Sequence, residues 1–139
     1  MATTTVSIPY TSPRKSQLIA GWTMSGFVIL FLLFDAVIKF FMPAVVVQTT
    51  VNELGFQMHH IPLVGITGLV GVVLYAIPRT AVLGAVLIMA QLGGAIAVQV
   101  RVDNPLFSHE LFPVYIGILM WGGLWLRMPA LRNLLPIVK

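Results

Sequence analysis

Cysteine is absent from the 139 residues. Its absence removes disulfides, thiolate metal sites, iron–sulfur clusters and thiol redox chemistry together. Charge is nearly as scarce: Lys, Arg, Asp and Glu make up 9% of the chain, and only four residues are acidic, where a soluble domain carries about 25% charged residues. No nucleophile motif, paired carboxylates or phosphate-cradling glycine loop is present, so an autonomous enzyme is not expected. Gly93-Gly94 lies inside an apolar run with no strand before it, and a dinucleotide fingerprint fails on that context. The net charge of +4 does not imply nucleic acid, because the basic residues form no run and are not interleaved with aromatics.

What the chain does have is apolar surface: 58% hydrophobic residues and a mean hydropathy of +0.97. The bilayer, not water, is the solvent such a composition suits. At roughly 20 residues per crossing the length allows about four spans and no separate catalytic domain. The expected fold is all-α, a transmembrane four-helix bundle with a short interfacial helix between helices one and two. Residues 1–16 read as a polar cytoplasmic tail, 17–128 as the membrane domain and 129–139 as a short basic cytoplasmic tail. The run from Leu18 to Met42 exceeds a secretory signal's apolar core, which makes it an uncleaved first span.

Helix one is expected from Gln17 to Met42, ended by Pro43, which cannot continue the backbone ladder. Val47, Val51 and Leu54 then recur at helical spacing up to Gly55, a short helix for the interface. The second span opens at Ile61-Pro62 and ends at Ile77-Pro78-Arg79. The third runs from Thr80 to Val100 and the fourth from Phe112 to Leu126. Small residues are placed for close packing, among them Gly65, Gly68, Gly71, Gly84, Ala90 with Gly94, Gly93 with Ala97, Gly117 and Gly123. One set of ends collects Arg14, Lys15, Arg79, Arg127, Arg132 and Lys139 without an acid. The other collects Glu53, Asp103 and Glu110 with only Arg101. Basic residues stay on the cytoplasmic side, so the chain is expected to be multi-pass in a cell membrane, a bacterial inner membrane by preference, with both termini cytoplasmic. Trp22 and Trp125 suit the inner aromatic belt.

Asp35 and Lys39 are the first candidate site residues, since ionisable groups within a span require pairing or hydration. They stand four apart, acid first, the favourable order for a pair on one helix face. Asp35 lies roughly 27 Å along the helix, near the outer interface, so a purely orienting pair with Lys39 snorkelling to water is the rival reading. Gln91 and Gln99 lead along the third helix to Arg101, His109 and Glu110; Gln91, the deepest, suits a hydrogen bond to a neighbouring helix. His59 and His60 precede the second span. No metal is expected, because adjacent histidines diverge and no carboxylate stands at a ligand spacing. With Asp103, these residues define a polar cup at the outer mouth, suited to the head group of a quinone or phospholipid whose tail lies between the helices.

The third and fourth helices, through Thr80-Ala-Val-Leu-Gly-Ala-Val-Leu, Leu92-Gly-Gly-Ala-Ile-Ala-Val-Gln-Val-Arg-Val102 and Pro105-Leu-Phe-Ser-His-Glu-Leu-Phe-Pro-Val-Tyr115, resemble the DoxX-like family of small four-helix membrane proteins. Trp121-Gly-Gly-Leu-Trp-Leu-Arg127 and the Asp35/Lys39 and Leu54-Gly55 layout extend the resemblance from Leu18 to Pro136. It implies a subunit or accessory of a membrane redox or stress-response system, with quinone as the implied ligand and a membrane or redox protein, or a second copy, as the implied partner besides lipid. The resemblance supplies no catalytic set. A carrier or export component for small hydrophobic compounds or lipids, and a structural scaffold, are the alternative readings.

Overall fold

The computed structural model describes residues 12–138; most of the tail expected over 1–16 lies outside the described residues. Helix α1 (Lys15–Phe41) already includes Lys15 and Ser16. Its start is closed by Gln17, whose Oε1 accepts the Arg14 N–H at 3.1 Å, satisfying a donor the first turn leaves open. It stops where expected: Met42 turns left-handed at φ 48° and Pro43 follows. Helix α2 (Ala44–Val47) widens into a π-helical turn, Gln48–Glu53. Gly55 ends this segment at φ 76°, a conformation glycine adopts without steric cost, and Leu54 and Phe56 donate to Thr49 O and Thr50 O, each at 3.0 Å.

Helices α3 (His60–Ala76) and α4 (Ala81–Arg101) are joined by the tight Pro78-Arg79 turn. A second π turn, Leu106–Glu110, precedes α5 (Phe112–Arg127), which carries Pro113 in its first turn. The basic stretch expected as a tail holds a further helix, α6 (Pro129–Leu134), with Leu131 buried. No strand occurs among the described residues.

Helix α1 packs on α3 and α5, and α4 closes the ring against α3 and α5. Small residues set the closest approaches. A Cβ at Gly84 would lie 2.2 Å from Tyr75 N, and one at Gly21 2.8 Å from Gly123 O; α3 meets α4, and α1 meets α5, backbone to backbone. The packing expected at Ala90, Gly93, Gly94 and Ala97 is not observed. All four are exposed, and a Cβ at Gly93 or Gly94 would meet nothing within 4 Å. Gly93 lies about two and a half turns beyond Gly84, which places it on the opposite face of α4.

Val28, Val72, Tyr75, Ile88, Met120 and Leu124 form the interior. The outside is equally apolar: Leu30 is 71% exposed, Phe34 66% and Ile118 63%. Helices α1 and α4 are long and apolar enough to cross a membrane, and α3 is a shorter apolar helix.

Candidate functional site

At the end of the ring that holds His60, Arg101 and Phe112, the helices enclose a cavity of about 700 Å³, within the range of small-molecule sites. Its floor is apolar, made by Leu32 of α1, Val72 of α3, Ile88 and Leu92 of α4 and Ile116 of α5. Its rim is polar. Thr49 and Thr50 come from the first π turn, Ser108 and His109 from the second, and Asp35, Lys39, Gln91 and Gln99 from the long helices. Both π turns among the described residues thus border one cavity, and such turns are frequent at functional sites.

The fold brings Asp35, Lys39, Gln91, Gln99 and His109 of the sequence-derived set to this cavity. His60 and Arg101 line a smaller adjoining pocket of about 360 Å³, which shares Leu54, Phe56 and Val98 with the first. His59 and Glu110 line neither. Lys39 does not snorkel outward: its side chain is 16% exposed against 47% for Asp35. Its Nζ donates to the Asp35 carboxylate and, at 3.0 Å, to Asp35 O. Two of the three ammonium hydrogens are engaged, leaving one for another acceptor. Across Gly65, where a Cβ would stand 3.1 Å from Ala36 O, α3 closes over this part of α1.

Gln91 Nε2 donates to Val64 O of α3 at 3.3 Å, the interhelical bond expected of a glutamine at that depth. Gln99 Oε1 accepts from Asn104 Nδ2, which orients the amide NH₂ group as its remaining donor. His109 Nδ1 is engaged with Ser108 Oγ at 2.7 Å, so Nε2 is the uncommitted ring nitrogen. Arg101 Nη2 donates to Leu54 O at 2.6 Å and ties the end of α4 to the Gly55 turn. Among the described residues no three His, Asp or Glu side chains converge as metal ligands. The rim carries one positive and one negative group in contact, with neutral donors and acceptors around them; the arrangement suits an uncharged polar head group.

A comparison with protein families matches residues 23–123 to the DoxX-like family. The chain belongs to the DoxX-like family. The match covers the cavity-lining parts of α1, α3, α4 and α5, and the family is membrane-associated, in keeping with two helices of spanning length. Neither a curated protein nor a solved structure matches the chain.

At its other end this DoxX-like protein holds a buried polar cluster, of which the sequence reading names only Arg127 and Trp22. Arg127, taken as an orientation signal, is 7% exposed, with its guanidinium 4.1 Å from the Trp22 ring centroid. Arg127 Nε donates to Ser25 Oγ at 3.2 Å, Ser25 Oγ meets Tyr75 Oη at 2.9 Å, and Tyr75 Oη donates to Met120 O at 2.8 Å. An arginine can only donate and a carbonyl only accept. Ser25 therefore donates to Tyr75, and the chain of bonds runs one way from α5 through α1 and α3 back to α5. Tyr75 and Arg127 sit at helix ends, but Ser25 lies ten residues inside α1, so no sequence spacing marks the cluster.

Proposed function

We propose that this DoxX-like protein is a four-helix transmembrane bundle with both termini cytoplasmic. In this reading it binds a quinone or a similar lipid-soluble molecule in the 700 Å³ cavity, and serves as a subunit or accessory of a membrane redox or stress-response system. The bilayer placement is supported by the apolar exterior around a ring whose buried polar groups, Ser25 and Arg127, lie inside. In water that polarity is normally reversed.

The cavity carries the ligand reading. Its floor is apolar, and its rim offers donors suited to carbonyl oxygens: the third hydrogen of Lys39, the Gln99 amide and the His109 imidazole. A bound quinone would supply two-electron chemistry; the chain's residues would hold its head group and keep the paired charge of Asp35 and Lys39 beside it.

The test is saturable binding of decylubiquinone, a short-chain benzoquinone, to the protein in nanodiscs. Wild type is expected to bind, and Lys39→Met to weaken binding about ten- to a hundredfold, the worth of one hydrogen bond from a charged group. Absence of saturable binding by wild type, or equal binding by the variant, contradicts the proposal.

A further inference from the structure

The exposed residues that line the cavity fall into two groups. Thr49, Ser108 and His109 are exposed at its polar mouth, and Thr67 of α3 and Gly94 of α4 are exposed along its side. Counted from the helix ends at the mouth, the lateral pair lies at similar depths. Thr67 is seven residues into α3 from His60, and Gly94 is seven residues back along α4 from Arg101. Each is therefore about 10 Å inside the helix end.

Helix α3 is only 17 residues long, about 25 Å, close to the hydrocarbon thickness of about 30 Å. A level about 10 Å inside its end lies among acyl chains rather than head groups. The rim is chemically quiet. Thr67 Oγ1 is spent on Val64 O at 3.0 Å, and Gln91 Nε2 reaches the same carbonyl at 3.3 Å. At Gly94 a Cβ would meet nothing within 4 Å, so the missing side chain is not required by helix packing. Gly94 thus places no side chain at this edge of the cavity, which it lines, and the nearest bridge between the two helices is the Gln91 amide on Val64 O.

We propose that Thr67 and Gly94 frame a lateral portal between α3 and α4 through which the hydrocarbon chain of a membrane-dissolved amphiphile passes, so that the cavity takes ligands from the bilayer interior. The inference rests on the bilayer placement and ligand cavity proposed above and names the ligand class: a neutral polar head on a hydrocarbon chain. A lipid acyl chain and a quinone tail share that chemistry.

Gly93 provides the matched control, since it is exposed and has an equally empty Cβ position but does not line the cavity. In nanodiscs of phosphatidylcholine with a diazirine at the acyl terminus, irradiation and mass spectrometry map which residues the chains reach. Wild type and Gly93→Trp are expected to crosslink at the floor residues Val72, Ile88 and Ile116. Gly94→Trp, and Thr67→Phe on the facing rim, are expected to lose those crosslinks while keeping the ones on outward-facing Leu83 and Ile118, which report an intact fold. No floor crosslinks in wild type, or floor crosslinks equal in Gly93→Trp and Gly94→Trp, overturn the portal. Added decylubiquinone separates the two proposals: suppression of the floor crosslinks supports both, whereas unchanged crosslinks that still depend on Gly94 support the portal and overturn the quinone reading.

Discussion

Tyr75 has no exposed surface, yet its hydroxyl has two partners, Ser25 Oγ and Met120 O. In a low-dielectric interior the Ser25 hydroxyl, which is fully buried, has no water to replace the acceptor it would lose at Tyr75. Tyr75→Phe is therefore expected to lower the unfolding free energy by about 1–2 kcal/mol, measured by denaturant titration in detergent. Arg127 anchors the other end of that chain of bonds and stacks between Trp22 and Tyr75, the latter with its centroid 5.3 Å away. Little of this was legible in the sequence. An arginine at the end of an apolar run looks the same whether it faces head groups or turns inward, and the partner that decides, Ser25, lies 102 residues away. Lys39 was ambiguous for the same reason. Its spacing from Asp35 was readable, but its burial depends on the approach of α3 at Gly65.

Helix ends were far easier to read than helix faces, because they are set by local chemistry. Pro43, Gly55, Pro78 and Pro113 each act within a turn of their own position, and the observed boundaries lie within about two residues of the expected ones. Faces depend on which neighbours arrive, and glycine carries no label for that. Gly84 sits under the backbone of Tyr75, whereas Gly93 faces outward with nothing near it. Gly84→Ala is expected to force α3 and α4 apart and destabilise by about 1–3 kcal/mol. Gly93→Ala is expected to stabilise by about 0.5–1 kcal/mol through helix propensity alone. Parallel unfolding of the two variants checks the assignment of faces. Helix α6 escaped notice because six residues between two prolines carry too little periodicity. It is held by tertiary bonds, with Arg132 donating to Trp125 O at 2.9 Å and Gln17 Oε1 at 3.3 Å.

For the whole molecule, one asymmetry organises the proposals: a cavity with paired charge and two π turns at one end, and a closed cluster built on Arg127 at the other. Composition pointed to a bilayer, and the candidate residues Asp35, Lys39, Gln91, Gln99 and His109 do meet at one cavity. The cavity's depth and its proposed side opening depend on the spacing of α3 from α4, which a linear pattern does not encode. Both the quinone site and the lateral portal require the two ends of the ring to face opposite sides of a membrane. Because the chain has no cysteine, single replacements Arg79→Cys and Asp103→Cys can be labelled with an impermeant maleimide in sealed, oriented vesicles. The account predicts that Asp103→Cys reacts from the outside and Arg79→Cys only after the membrane is opened; reaction of both from the same side would contradict it.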